Sequence, residues 1–215
     1  MPKKTVVFKH AIVLYTYLFC VWGLYRLLFQ LPENIEDLLL KPVLWLAPVL
    51  FLLSKEKARL SSIGFSLKNI FPSIYFALSL GVAFAIEGLV INYFKYGHLN
   101  FEANLGSNTF FYALGLAVAV AFTEEIVFRG YIFTRLLHAL KKELNANLIT
   151  SFGYALINLP IAIFVWKSGP QGSVTYFLLT FMFGVGAAFV FARSKNILAA
   201  ILLHIFWEWP IILFR

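Results

Sequence analysis

The amino-acid sequence predicts an all-α fold, a polytopic transmembrane helix bundle of about seven spans. Hydrophobic residues make up 61% of the 215-residue chain and charged residues only 13%, and the mean hydropathy is +0.82. A soluble domain of this composition could not cover its surface with polar groups. Seven apolar runs, each near the ~20 residues that cross a bilayer as a helix, take up most of the length. The sequence therefore predicts a single membrane-embedded domain over residues 1–215.

The first four predicted spans are separated by charged or turn-forming stretches. The run at 10–31 follows the basic segment MPKKTVVFKH and is longer than the apolar part of a signal peptide, so we expect it to be retained as a span. LPENIED precedes the short run at 38–54, SKEKARLSSIGFSLKN precedes 70–94, and KYGHLNFEANLGSN precedes 109–137. These breaks are rich in Gly, Pro, Asn and charged residues, which end helices.

The last three predicted spans follow shorter breaks. HALKKELNAN precedes the run at 147–166, KSGPQG precedes 173–192, and RSKN precedes 197–213. These breaks also carry turn or charge signals.

The basic residues between the apolar runs and near their ends predict the orientation of the chain in the membrane. Seven spans place twelve of them on the side of the N-terminus, namely Lys3, Lys4, Lys9, Lys55, Lys57, Arg59, Lys68, Arg135, Lys141, Lys142, Arg193 and Lys195. Four fall on the other side: Lys41, Lys95, Lys167 and Arg215. Since cytoplasmic loops carry the excess of Lys and Arg, the N-terminus is predicted to be cytoplasmic and the C-terminus to lie on the opposite side. The positive charges form short clusters and not one patch, which argues against nucleic acid as a partner.

Several ionisable or amide side chains lie inside the apolar runs, where charge is costly and usually marks function. They are Glu124, Glu125 and Arg129 in the fourth run, Asn158 in the fifth, and His204 and Glu208 in the seventh. Counting ~1.5 Å per residue from the ends of each run places Glu124, Asn158, His204 and Glu208 in the cytoplasmic half of the bilayer. Groups on three helices at overlapping depth predict one polar site.

Spacing along each helix predicts which of these groups pair. Glu125 and Arg129 are four residues apart and should form a structural ion pair, whereas Glu124 is rotated by ~100° and is expected to face a cavity. His204 and Glu208 share a face in the same way, so the carboxylate could orient the imidazole. The simpler alternative is an ion-pair cluster that only ties helices together.

The motif EEIVFR resembles the E-E-x-x-x-R signature of the CPBP (CAAX prenyl endopeptidase and bacteriocin-processing, or Abi) family of intramembrane proteases. The resemblance covers residues 109–213, the predicted catalytic core. Two positions depart from the family pattern. YALIN has Asn158 where the family's second motif has histidine, with Tyr154 as its aromatic residue, and HIFWE has Glu208 where the third motif has asparagine.

The resemblance implies an intramembrane endopeptidase of the glutamate type. Glu124 would be the general base that activates water, and His204 and Asn158 would donate hydrogen bonds to the oxyanion. Glu208 would orient His204, or else pair with Arg129 or Arg193. The expected substrate is a membrane-associated peptide or protein, and the lipid bilayer is the other expected partner.

Two alternatives remain open at the sequence level. No cofactor is expected, but Glu124, His204 and Glu208 could in principle bind zinc, a less favoured reading because the chain lacks an H-E-x-x-H motif. A non-catalytic membrane-peptide-binding protein or chaperone could use the same polar cluster for docking. A proton-coupled transporter is less favoured, since the sequence lacks evident inverted repeats.

Overall fold

The computed structural model describes residues 3–29, 31–100 and 110–214, with the side chains of the last helix described as far as Glu208. The α-helices within these residues are α1 Lys4–Leu28, α2 Glu33–Ile35, α3 Lys41–Lys55, α4 Ile70–Tyr96, α5 Phe110–Glu125, α6 Thr134–Leu140, α7 Glu143–Pro160, α8 Gly169–Ser194 and α9 Ile197–Phe214. No strand occurs in this part of the chain. Of the residues used in the predictions, Arg215 and residue 109 lie outside the described ranges.

The predicted fold class, an all-α polytopic bundle, is confirmed. Six helical segments are long and apolar enough to cross a membrane: Lys4–Leu28, Glu36–Lys55, Ile70–Tyr96, Phe111–Leu140, Glu143–Val165 and Gly169–Ser194. The seventh predicted span corresponds to α9, whose apolar part over Ile197–Glu208 is shorter. Every predicted apolar run therefore overlaps a helical segment. The first, fifth and sixth segments begin several residues before their runs, the fourth ends after its run, and the first ends at Leu28, before the end of its run.

Three of the long segments are not α-helical throughout. A π-helical stretch at Glu36–Leu40 precedes α3, another at Ile126–Phe133 joins α5 to α6, and a third at Ile161–Val165 follows α7. Such wider turns are rare, and they occur often at functional sites. The stretch at Ile126–Phe133 begins directly after Glu124 and Glu125, so it determines where the side chains that follow the glutamate pair point.

The helices of the second half of the chain form the centre of the bundle. Phe183 of α8 stacks on Trp207 of α9 at 5.3 Å between ring centroids and lies 5.8 Å from the Tyr154 ring of α7. Helix α4 lies at the periphery, with exposed apolar side chains such as Phe94, which is 81% exposed. An apolar exposed surface on this scale is what a lipid-facing helix requires.

The loop between α3 and α4 packs tightly against the π-helical stretch that follows the glutamate pair. Gly64 adopts φ +89° and its carbonyl accepts the backbone N–H of Ile197 at 2.9 Å. A Cβ on Gly130 would lie 2.9 Å from the backbone oxygen of Ile63, which leaves no room for a larger residue. Glycine at these two positions lets the loop, the π-helical stretch and the start of α9 meet.

A buried carboxylate joins α1, the end of α3 and the fourth segment. Glu56 accepts hydrogen bonds from the Tyr131 hydroxyl at 2.6 Å, from Arg135 Nη2 at 2.7 Å and from Arg135 Nε at 3.0 Å. His10 Nδ1 lies 3.0 Å from Glu56 Oε1, the oxygen that also accepts the Tyr131 hydrogen bond, whereas Arg135 contacts Oε2. Burial alone would raise the pKa of Glu56, but the hydrogen bonds from Tyr131, Arg135 and His10 outweigh burial and hold the pKa below its usual value.

Two of the basic residues that were counted for the orientation of the chain are buried. Arg135 is fully buried against Glu56, and Lys41 is 5% exposed inside the bundle. Both were counted because each lies near the end of an apolar run, and the side of the membrane assigned to each stays a prediction. Periodicity along one helix does not reveal a carboxylate that a different helix supplies.

Candidate active site

Glu124 lies near the end of α5 in a closed polar environment, and its side chain is 3% exposed. One carboxylate oxygen forms an ion pair with Lys41 Nζ, and the other accepts a hydrogen bond from the Tyr154 hydroxyl at 2.5 Å. The sequence analysis expected Glu124 to face a cavity. The structure instead encloses the carboxylate between α3 and α7, because cationic and hydroxyl donors on both helices reach it.

Glu125 and Arg129 form the ion pair that their four-residue spacing predicts, with 2.9 Å between Glu125 Oε1 and Arg129 Nη1. Both side chains are fully buried. The guanidinium lies 4.3 Å from the centroid of the Tyr154 ring and 5.3 Å from that of Phe183. Arg129 Nε and Nη2 and Glu125 Oε2 have no hydrogen-bond partner in the described structure. The pair is therefore held by one charge-assisted hydrogen bond and by aromatic faces.

The imidazole of His204 connects the two glutamates of the motif. Its Nδ1 lies 2.8 Å from Glu125 Oε1, and its Nε2 lies 3.9 Å from Glu124 Oε2. Glu124 and Glu125 thus face different nitrogens of one ring, which suits the ~100° rotation between neighbouring helical residues. Glu124, Glu125, Arg129 and His204, the four side chains that match the family motifs, come together in one buried cluster.

Glu208 pairs with His204, one of the three partners that the sequence left open. Glu208 Oε1 lies 3.3 Å from His204 Nε2, across one turn of α9. The other two candidates have different partners, since Arg129 pairs with Glu125 and Arg193 pairs with Glu143 at 2.9 Å. Glu208 is more accessible than His204, since its side chain is 23% exposed and that of His204 is 2% exposed.

Asn158 lies one turn beyond Tyr154 on α7, but its amide does not reach the carboxylate cluster. Its Nδ2 donates a hydrogen bond to the backbone oxygen of Tyr154 at 3.0 Å. The structure brings together Glu124, Glu125, Arg129, His204 and Glu208, and it leaves Asn158 at the edge of that group. An oxyanion role for Asn158 would require its side chain to rotate away from its own helix.

Lys41 is the residue of this cluster that sequence reasoning missed. It begins α3, its Nζ pairs with Glu124, and Asp37 Oδ1 lies 3.8 Å from it. One signal could have revealed it. LLLKPVLW places a lysine within an apolar run, and Asp37 precedes it by four residues, the spacing of an ion pair on a buried helix face.

The cluster extends outward through the beginning of the second segment. Glu36, next to Asp37, pairs with Arg26 of α1 and accepts a hydrogen bond from the Tyr25 hydroxyl at 2.9 Å. All of these side chains are buried. These charged groups of the first and second segments therefore compensate one another, and Glu124 of the fourth, in the bundle interior instead of facing lipid.

The zinc alternative of the sequence concerns Glu124, His204 and Glu208. Glu124 Oε2 lies 3.9 Å and Glu208 Oε1 lies 3.3 Å from Nε2 of His204. Among the described side chains, no group of three His, Cys, Asp or Glu residues is placed to hold a metal ion. The expectation that the protein needs no cofactor stays a prediction.

A comparison with protein-family models finds a match over residues 106–210. The matching model is described as type II CAAX prenyl endopeptidase Rce1-like, which is a model of the CPBP family. The resemblance inferred from EEIVFR is thereby confirmed, and residues 106–210 are called the CPBP segment below. The apolar helices and the match to a family of membrane proteases support an integral, multi-pass membrane protein and, in general terms, a protease of the CAAX type. A comparison with curated proteins finds no match.

The CPBP segment contains every site residue that the sequence predicted, from Glu124 to Glu208. It does not contain Lys41, which the preceding part of the chain supplies. The candidate active site therefore includes a residue from outside the family-matched segment.

Proposed function

We propose that the chain is an intramembrane endopeptidase of the glutamate type, which hydrolyses a peptide bond in a membrane-associated peptide or protein. The observation that carries the proposal is the convergence of Glu124 and Glu125 on the His204 imidazole, each within 4 Å of one of its nitrogens, inside the CPBP segment. Carboxylate and imidazole groups in a buried site are the elements of general acid–base hydrolysis.

In the proposed reaction, Glu124 removes a proton from water as the oxygen attacks the peptide carbonyl carbon. The carbonyl π bond opens, and the oxyanion is stabilised by hydrogen bonds from the His204 imidazole and, after side-chain rotation, from the Asn158 amide. The proton passes to the leaving nitrogen, the C–N bond breaks, and a carboxylic acid and an amine are released. Glu208 holds the imidazole, while Glu125 and Arg129 keep their structural pairing.

The proposed orientation places the N-terminus in the cytoplasm and the C-terminus on the opposite side. Removing Lys41 and Arg135 from the flanking residues leaves the excess of basic residues on the N-terminal side. The reacting groups would then lie in the cytoplasmic half of the bilayer, and a substrate would reach them from that side.

A second candidate function is a membrane-peptide-binding protein without catalysis. The enclosure of Glu124 favours it, because a general base must contact water and both carboxylate oxygens already have partners. In the protease proposal, substrate entry must open the enclosure of Glu124 so that water can contact the carboxylate. In the binding proposal, Glu124 stays enclosed.

The deciding experiment measures cleavage of a membrane peptide by the purified protein in detergent or lipid, with and without a strong chelator. The protease proposal expects chelator-resistant cleavage that Glu124→Gln abolishes. Glu143→Gln is the matched control, since it makes the same chemical change in an exposed carboxylate outside the cluster. Chelator-sensitive cleavage would contradict the glutamate mechanism, and peptide binding without cleavage would favour the second candidate.

A further inference from the structure

Lys41, the buried lysine of the second segment, is surrounded by groups that hold its charge in one position. It is the first residue of α3, directly after the π-helical stretch Glu36–Leu40, and Pro42 follows it. Its side chain is only 6% exposed. A lysine so deeply buried is uncommon, and it requires a specific partner for its charge.

Two aromatic rings and two carboxylates surround the ammonium group. Nζ lies 5.2 Å from the centroid of the Trp45 ring and 5.7 Å from that of Trp22. Asp37 Oδ1 is 3.8 Å away, and Glu124 Oε1 makes the closest contact. The Trp45 side chain is itself fully buried and packs on Phe128, within the π-helical stretch that follows Glu124. The lysine stem is thus confined by packing as well as by charge.

The contacts of Glu124 explain why this confinement matters. Lys41 from α3 holds Oε1, and the Tyr154 hydroxyl from α7 holds Oε2 at 2.5 Å. Donors on two different helices, one for each oxygen, fix both the position and the plane of the carboxylate. With Lys41 absent, Oε1 would lose the one cationic partner that the described residues supply, and the carboxylate could turn about its terminal torsion.

We propose that Lys41 is a positioning residue for Glu124, which makes the segment before the CPBP match a necessary part of the active site. Lys41 keeps the carboxylate ionised and directs its remaining lone pairs to where water and substrate must bind. This inference rests on the proposed protease function, and it concerns a residue outside the matched range 106–210.

The test compares kcat and KM for cleavage of a membrane peptide by purified wild-type protein and by Lys41→Met, which removes the charge but keeps an unbranched apolar stem. A displacement of the base by about 1 Å can lower turnover by about 10²-fold. We expect kcat to fall by about that factor and KM to change by less than about twofold, because the lost effect acts on the reacting groups and not on substrate binding. Lys41→Arg retains the charge with different geometry, and its kcat is expected to lie between those of wild type and Lys41→Met.

Arg135→Met is the matched control, since it removes one cation from another buried ion pair, about three helical turns from Glu124. It is expected to lower the amount of folded protein and to leave kcat per folded molecule unchanged. If Arg135→Met lowers kcat as much as Lys41→Met does, the effect reflects loss of stability, and the positioning role is wrong. An increase in kcat in Lys41→Met would also overturn it, because Lys41 would then be blocking the base.

Two further variants keep the test decisive. If Lys41→Met does not accumulate, Lys41→Arg decides: kcat about tenfold below wild type at unchanged KM supports positioning, and wild-type kcat overturns it. Glu124→Gln separates the two proposals. If that variant still cleaves, the proposed function fails; if it is inactive while Lys41→Met has wild-type kcat, only the inference about Lys41 fails.

Discussion

Arg129→Ala should destabilise the protein more than it impairs chemistry in the molecules that remain folded. The change removes a fully buried guanidinium that lies 2.9 Å from Glu125 and 4.3 Å from the centroid of the Tyr154 ring. Breaking a buried ion pair from one side costs about 3–5 kcal/mol, since the remaining charge is left without compensation. Glu125 keeps one contact, His204 Nδ1 at 2.8 Å, so the lower end of that range applies.

The expected loss is therefore about 3 kcal/mol in the free energy of unfolding, or roughly a hundredfold in the ratio of folded to unfolded protein. Reversible unfolding of the detergent-solubilised protein in increasing denaturing detergent measures it. Arg193→Ala is the control, because Arg193 forms an ion pair that is 45% exposed on the arginine side and should be worth at most about 1 kcal/mol.

The double variant Arg129→Ala/Glu125→Gln tests the cause of the loss. If the cost comes from a stranded carboxylate, removing that charge should recover part of the lost stability. An Arg129→Ala protein that unfolds like wild type would refute the reasoning. Normal accumulation together with complete loss of cleavage would place Arg129 among the catalytic residues instead.

Three further predictions concern turnover, acid stability and orientation. Asn158→Ala should lower kcat by ~10²–10³ with little change in KM if the amide rotates to donate to the oxyanion, and wild-type turnover would remove Asn158 from the mechanism. Glu56 has a lowered pKa, so its contribution to stability is complete above about pH 4.5 and is lost as the pH falls through the folded-state pKa. Thermal unfolding should therefore give Glu56→Gln a lower Tm than wild type at pH 7 and a smaller further decrease in Tm below pH 4.5. Accessibility labelling should find a tag near Lys57 on the cytoplasmic side and a C-terminal tag on the other, and a cytoplasmic C-terminus would contradict the seven-span topology.

The sequence predicted those features that depend on neighbours along one helix. The apolar runs marked the membrane-crossing segments, because hydrophobicity over about 20 residues is a local property. The spacing of Glu125 and Arg129, and of His204 and Glu208, predicted two contacts that are present. Each of these follows from the helical repeat alone.

Features that depend on contacts between helices could not be predicted in this way. The pairing of Lys41 with Glu124 joins residues 83 positions apart, and that of Arg135 with Glu56 joins residues 79 positions apart. No periodicity connects such positions. The π-helical stretch at Ile126–Phe133 is equally absent from the sequence pattern, because its residues are as suitable for an α-helix as for the wider turn.

The contacts of His204 determine which groups of this buried cluster can donate a hydrogen bond. Nδ1 faces Glu125 at 2.8 Å, and Nε2 faces Glu208 at 3.3 Å. An ionised carboxylate only accepts hydrogen bonds, and a neutral imidazole has one N–H, so both contacts are satisfied only when one additional proton is present. That proton resides either on the imidazole or on the carboxyl group of Glu208. In the proposed reaction the leaving nitrogen receives the proton that Glu124 removes from water, so the additional proton can stay on the pair of His204 and Glu208 and provide the hydrogen bond to the oxyanion.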